Sequence, residues 1–465
     1  MSTSFNGMWV LSSWNTAFGM WLLLLVCSLS LSPDEAWAHG RFPESVRIEF
    51  DPAHSGRIGV GTTFGILITE DNGLNWTWIC REALDITLNE DPPFSFLAGD
   101  TILATTFRGL VTGSASGCGF RSPSAVLGAT IVIDVFQTAV DEAFVLTSPG
   151  NAPNEVFATR DGGESFSALP VPIAEAGYLS ERVRASGDVI YVSGAKPASA
   201  KSPREARVYR SEDRGVSWVG TPFELREGER NIFLLGVDPQ NTDHLLMQVA
   251  HHNDFEVPDR LVESRDGGKS WQDRWTAGTL RGFAWDQVSG EIWVGGTDPS
   301  ILAVSRDGGM TFETVRDDLQ IGCLAVREDE LWACAQNWID GFSVGKSTDG
   351  GLHFEPQVVF DTTPLEPVVC ASDPATTESC AEAYPDLEQD LGLAANLDDG
   401  GVTDGGLGDS GTVPPEDDAS SGCSAVGRIG FLSALWPIAL WLIVLWLGVR
   451  RLGPRARTRR VREFR

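Results

Sequence analysis

One eight-residue pattern, Ser/Thr-x-Asp-x-Gly-x-x-Trp/Phe, recurs six times and constrains the fold of this chain more than any other feature. The copies are TEDNGLNW (Thr69–Trp76), TRDGGESF (Thr159–Phe166), SEDRGVSW (Ser211–Trp218), SRDGGKSW (Ser264–Trp271), SRDGGMTF (Ser305–Phe312) and STDGGLHF (Ser347–Phe354). Each follows a short alternating run such as ILI, LVE or FSV and precedes another, so each marks a β-hairpin. The residue types suit a tight turn. The carboxylate and the hydroxyl can accept hydrogen bonds from the loop N–H groups, the Gly supplies a positive φ, and the ring folds back over the hairpin.

Spacing sets the number of units. The six aspartates, Asp71, Asp161, Asp213, Asp266, Asp307 and Asp349, lie 90, 52, 53, 41 and 42 residues apart. The first gap is about twice the others, and TGSASGCGF (Thr112–Phe120) sits near its middle with the small residues, a glycine and the aromatic but no Asp. Seven units of this length match the blades of a propeller with four strands each. The expected fold is all-β, a seven-bladed β-propeller over residues 44–360.

The motif resembles the Asp-box, or BNR, repeat of sialidases, sortilin-type receptors and photosystem II stability factors. That resemblance implies a structural role for the six aspartates on the blade rim, away from the central site. Sialidase chemistry would further require an arginine triad, a Tyr/Glu nucleophile pair and an Asp acid/base. The propeller region offers only Tyr178, Tyr191 and Tyr209, in strand-like contexts, and Arg41-Phe42-Pro43 only partly matches the Arg-Ile-Pro start of sialidases.

Net charge is −29, but the last sixteen residues, Arg450 to Arg465, carry +7, leaving −36 on the rest. An acidic body of this kind repels nucleic acid. Met20 to Leu31 is a short apolar run followed by Ala36-Trp37-Ala38, the pattern of a signal peptide over residues 1–38. An exported body suits disulfides. Chain order suggests the local pairs Cys80–Cys118, Cys323–Cys334 and Cys370–Cys380. The second also follows from register, because a hairpin tip at Glu328-Asp329 sets Cys323 opposite Cys334. No C-x-x-C pair and no His at ligand spacing accompanies these cysteines, so neither metal nor cofactor is called for.

The loops between second and third strands are where a ligand could be met. AHHNDFEVPDR in the fifth unit carries His251, His252, Asp254 and Glu256, and AQNWIDG in the seventh carries Asn337 and Trp338. The former are hydrogen-bonding and potential metal-ligating groups in one loop, or plain polar loop residues, and the latter could form a carbohydrate or peptide platform, or pack. Two functions follow: a binding or scaffold module for an extracellular protein or glycan, or a secreted glycoside hydrolase on the same fold.

After the propeller, residues 361–385 read as a disulfide-closed extension and 386–421 as an acidic Gly/Asp-rich flexible linker. Residues 422–465 hold Cys423, an apolar span from Ile429 to Val449 long enough to cross a bilayer, and the arginines that would keep the C-terminus cytoplasmic. This order resembles the tripartite sorting tails of bacteria, especially the Myxo-CTERM class. The resemblance implies processing or lipidation at Cys423.

Overall fold

The computed structural model describes residues 42–393, apart from 88–89, 150, 174–176, 200–202 and 252–256. The signal peptide, Cys423, the span Ile429–Val449 and most of the linker lie outside these residues. Among the described residues no helix is long and apolar enough to cross a membrane.

Seven sheets follow one another along the chain, each built from consecutive strands, with Leu365–Pro367 from beyond the seventh added to the edge of the first. Their inner strands are Ser45–Phe50, Phe94–Leu97, Val132–Ala139, Leu179–Ser186, Glu229–Val237, Leu280–Trp285 and Cys323–Arg327. Residues from all seven line one central cavity, so the sheets are the blades of a seven-bladed propeller.

The blades hold together face to face. In the second strand of blade 4, Ile190 and Val192 pack on Phe144 and Leu146 of blade 3, while Tyr191 between them packs on Ile232 and Leu245 of blade 5. A strand buried on both faces loses the polar alternation of a surface strand and reads as a continuous apolar run. Each such side chain, fully buried, stabilises the fold by about 1.5–3 kcal/mol.

The six repeat turns share one hydrogen-bond set. The Ser or Thr hydroxyl donates to the Asp Oδ1 at 2.8–2.9 Å. The same hydroxyl accepts the N–H of the motif glycine. The carboxylate accepts the N–H four residues beyond it. The motif glycines take φ of +82 to +95°, the left-handed region that favours this residue.

Blade 2 departs from this pattern. Its Thr112–Phe120 segment does form a hairpin, closed by the Thr112–Arg121 bridge. Ser114 stands where the Asp would be and donates to Asp100 Oδ2 at 2.6 Å.

Hydroxyl donors Ser165, Ser217 and Thr311, followed by the backbone N–H groups, hold Asp161, Asp213 and Asp307 at about 2 against an ordinary 3.8. A carboxyl depressed in the folded state stabilises fully above its unfolded value and loses that contribution as pH falls through the folded one. The stabilising contribution of these three aspartates should therefore hold from neutrality to about pH 4 and be lost between about 4 and 2, lowering the melting temperature there. Asp161→Asn, Asp213→Asn and Asp307→Asn combined should lower the plateau and flatten that acid limb in a calorimetric pH series.

Two of the three expected disulfides are paired differently. Cys323–Cys334 forms, with the two residues directly opposite in register and their Cα atoms 4.8 Å apart. Cys80–Cys118 and Cys370–Cys380 do not form; Cys80 bonds Cys380 and Cys118 bonds Cys370. Ring closure is the reason. After blade 7 the chain returns to blade 1, where Leu365–Pro367 pairs in parallel with Trp76, Thr77 and Trp78 on its outer edge. That path brings Cys370 to the blade 2 hairpin, and the helix Pro374–Leu391 then lays buried Cys380 against Cys80. The helix also runs through residues 386–391, the start of the stretch read as linker.

Candidate functional site

The central cavity has a volume of about 350 Å³ and is lined by four arginines from three blades. These are Arg47 (blade 1), Arg182 and Arg184 (blade 4) and Arg281 (blade 6). Glu49, Gln137 and Ser95 add polar groups, while Phe136, Phe283, Leu235 and Leu324 add apolar walls. Inner strands place these residues because one face of each looks into the channel.

Three of the arginines are tied to carboxylates. Arg47 Nη2 lies 2.6 Å from Glu49 Oε1, and Arg281 Nη1 lies 3.3 Å from Glu44 Oε2. Arg184 Nη1 donates to Asp134 Oδ2 at 2.8 Å and to the Val183 carbonyl, and its Nε donates to the Leu235 carbonyl at 3.1 Å. Its guanidinium also stacks over Phe136 at 4.9 Å. Arg184 thus joins blades 3, 4 and 5 at the channel wall, and burial pulls its pKa below the ordinary value.

Arg182 is different. It donates to the Glu181 carbonyl at 3.0 Å and stacks over Phe233 at 5.5 Å, with no carboxylate partner among the described residues. Two buried polar atoms of the blade 3 inner strand lack hydrogen-bond partners, Nε2 of the channel-lining Gln137 and Asp134 Oδ1. Glu181 sits at a bulge in the same inner strand. Burial, eased by Arg182 and reinforced by Asp134, pushes its carboxyl up to about 7.

Of the residues singled out from sequence, His251, Asn337 and Trp338 lie elsewhere. His251 ends the second strand of blade 5 with its side chain 7% exposed, and its Nδ1 is 2.8 Å from Asp259 Oδ1. That carboxylate also accepts the His251 N–H and, through Oδ2, the N–H of Leu280, so the pair ties blade 5 to blade 6. His252, Asp254 and Glu256 lie outside the described residues. Asn337 is buried and accepts the Phe360 N–H at 2.9 Å. Trp338 is 43% exposed, and packs on Phe42 and Phe360 at 4.7 and 5.8 Å between ring centres. It borders a separate surface cavity with Asp361, Gln389 and Asp390.

Tyr178 does meet a glutamate. Its hydroxyl donates to Glu205 Oε2 at 2.9 Å and accepts from Arg207 Nε at 2.9 Å. Burial raises its pKa, however, which is opposite to the activation a tyrosine nucleophile needs. Tyr178 is also absent from the channel lining.

The channel arginines were missed in the sequence, though a signal was available. SVRIEF, LSERVRAS and LRGFAW are inner strands of an acidic protein, and each places arginine in a strand interior.

No family model and no curated protein matches the chain. Solved structures similar to it include YCF48 bound to D1 peptide, 16% identical over 50% of this chain and 67% of that one, with a TM-score of 0.34. An ancestral GH74 enzyme is 12% identical over 69% of this chain, with a TM-score of 0.37; the match spans 55% of that enzyme's length. Hydrazine synthase from Kuenenia stuttgartiensis is 8% identical over 68% of this chain and 98% of that one, with a TM-score of 0.48. What the chain's own sheets define is a seven-bladed propeller whose central channel is rich in arginine.

Proposed function

We propose that this chain is an exported Asp-box propeller, anchored to a membrane through Ile429–Val449 and sorted through Cys423, that binds an extracellular partner at its central channel. The observation that carries the binding reading is the division of labour among polar groups. The six motif aspartates are spent on turns. The channel instead gathers four arginines from three blades onto one concave surface. Three disulfides support an oxidising, extracytoplasmic setting.

The test uses the full chain, immobilised from detergent and exposed to a glycan array and to the proteins of the host's own envelope. Binding should be lost in Arg182→Ala/Arg281→Ala. It should persist in Asp266→Ala, which lowers only the melting temperature. Binding that survives the channel variant but is lost in Asp266→Ala would refute the reading. Turnover of a glycoside by the full chain would replace it with the hydrolase alternative.

A further inference from the structure

We propose that the channel is a receptor for a small organic monocarboxylate, with Arg182 and Gln137 as the groups that hold the carboxylate. This rests on the reading of the channel as the binding site and adds the chemistry of the ligand. Charge counting within the channel decides the class. Arg47, Arg184 and Arg281 are each neutralised by Glu49, Asp134 and Glu44. Arg182 therefore supplies the one uncompensated positive charge of the lining. A monoanion balances it, whereas a phosphate or sulfate dianion would bring one negative charge too many into a site already holding three carboxylates.

The geometry of the donors agrees. A guanidinium offers a planar fork that matches a carboxylate, and the Arg182 group is held on Phe233 and the Glu181 carbonyl rather than left to wander. Gln137 Nε2 is a buried donor without a partner, a costly arrangement unless a ligand acceptor meets it. Phe136, Phe283, Leu235 and Leu324 offer apolar surface for the carbon skeleton. The volume of about 350 Å³ lies at the small end for ligand pockets, suited to a sugar acid or the C-terminal residue of a peptide.

Glu181 adds a pH dependence. Its neighbours of either charge are Arg182 on its own strand and Asp134 on blade 3. Below neutrality its carboxyl is largely uncharged and leaves Arg182 free for the ligand. Ionised above about 7, it compensates Arg182 from within the protein.

Titration calorimetry on the full chain in detergent tests the proposal with four probes: glucuronate against glucose, and N-acetylglycine against N-acetylglycinamide. At least one acid should bind roughly ten-fold or more tighter than its neutral counterpart, and the stronger acid identifies a sugar or a peptide source. Its affinity should fall between pH 6 and 8.5. Arg182→Gln should abolish the preference, and Arg306→Gln on the rim should leave it intact. Should Arg182→Gln fail to fold, Gln137→Leu serves: it should weaken the acid several-fold without lowering the melting temperature, since it removes an unpaired buried donor. Equal binding of acid and neutral probes, or tighter binding of inorganic phosphate or sulfate, overturns the inference. A partner that is captured at the channel yet not displaced by either acid overturns it while leaving the binding reading intact. Loss of both would reject the channel as a site.

Discussion

Removing both long-range disulfides should cost more than twice what removing either one costs, and the doubly deleted protein should not hold its fold at 37 °C. Each blade is made of consecutive strands, and the two ends of the propeller meet in one sheet only through the short edge strand Leu365–Pro367 on blade 1. The ring is closed by packing between blades 1 and 7, where Ile48 meets Trp332, Val344 and Phe360, and by the latch outside them. Cys80–Cys380 and Cys118–Cys370 join residues 300 and 252 apart. In the chain-entropy account the first bridge to form closes a loop of hundreds of residues, which stabilises by about 5 kcal/mol or somewhat more. Once it exists, the second closes only the short path through residues 80–118 and 370–380, worth about 4 kcal/mol. Either single deletion thus costs about 4 kcal/mol, and both together about 9–10, comparable to the whole stability of a typical domain. Cys323–Cys334 spans a hairpin already paired along both strands, and its loss should cost under about 3 kcal/mol. Guanidinium unfolding of the three paired Cys→Ala variants and of the four-cysteine variant gives the cycle. A four-cysteine variant no less stable than either pair deletion would mean that the latch does not close the ring.

Local chemistry made most of this fold legible. The repeat turns could be read because all their partners lie within about five residues, so sequence spacing and spatial contact coincide. The same holds for Cys323–Cys334, where the tip at Glu328-Asp329 fixes the register; Glu328 indeed takes a φ of +56°. The two exchanged disulfides fall outside that range. Their partners are set by where the chain goes after seven blades have closed, and proximity along the sequence is then a misleading guide.

The site was hidden for a related reason. Arg47, Arg182, Arg184 and Arg281 are scattered along the chain, and an arginine alternating with apolar residues reads as the solvent face of a strand. Only when seven inner strands are set around one axis does that face become a channel wall. The histidines drew attention because they stand together in sequence. The structure gives His251 a mundane role, tying strands of neighbouring blades through Asp259.

Asp134→Leu should destabilise the propeller by about 3–5 kcal/mol, the largest effect expected of a single substitution at the channel. Asp134 is fully buried, and its Oδ2 accepts from both the Val183 N–H at 3.0 Å and Arg184 Nη1 at 2.8 Å. Removing it strands a guanidinium whose side chain is only 12% exposed, at the point where three blades meet. Arg184→Met should be comparably harmful, because Asp134 would then be a buried charge without a cation. The attraction within the pair only offsets what desolvation of both groups costs, so replacing them together removes both terms. Asp134→Leu/Arg184→Met should consequently recover most of the loss, and urea unfolding of the four proteins gives the coupling directly. The double variant should also keep the carboxylate preference proposed above, because the pair is neutral overall and Arg182 is untouched. Additive losses in the cycle would show that Asp134 and Arg184 act separately, Asp134 on the Val183 amide and Arg184 on the Leu235 carbonyl.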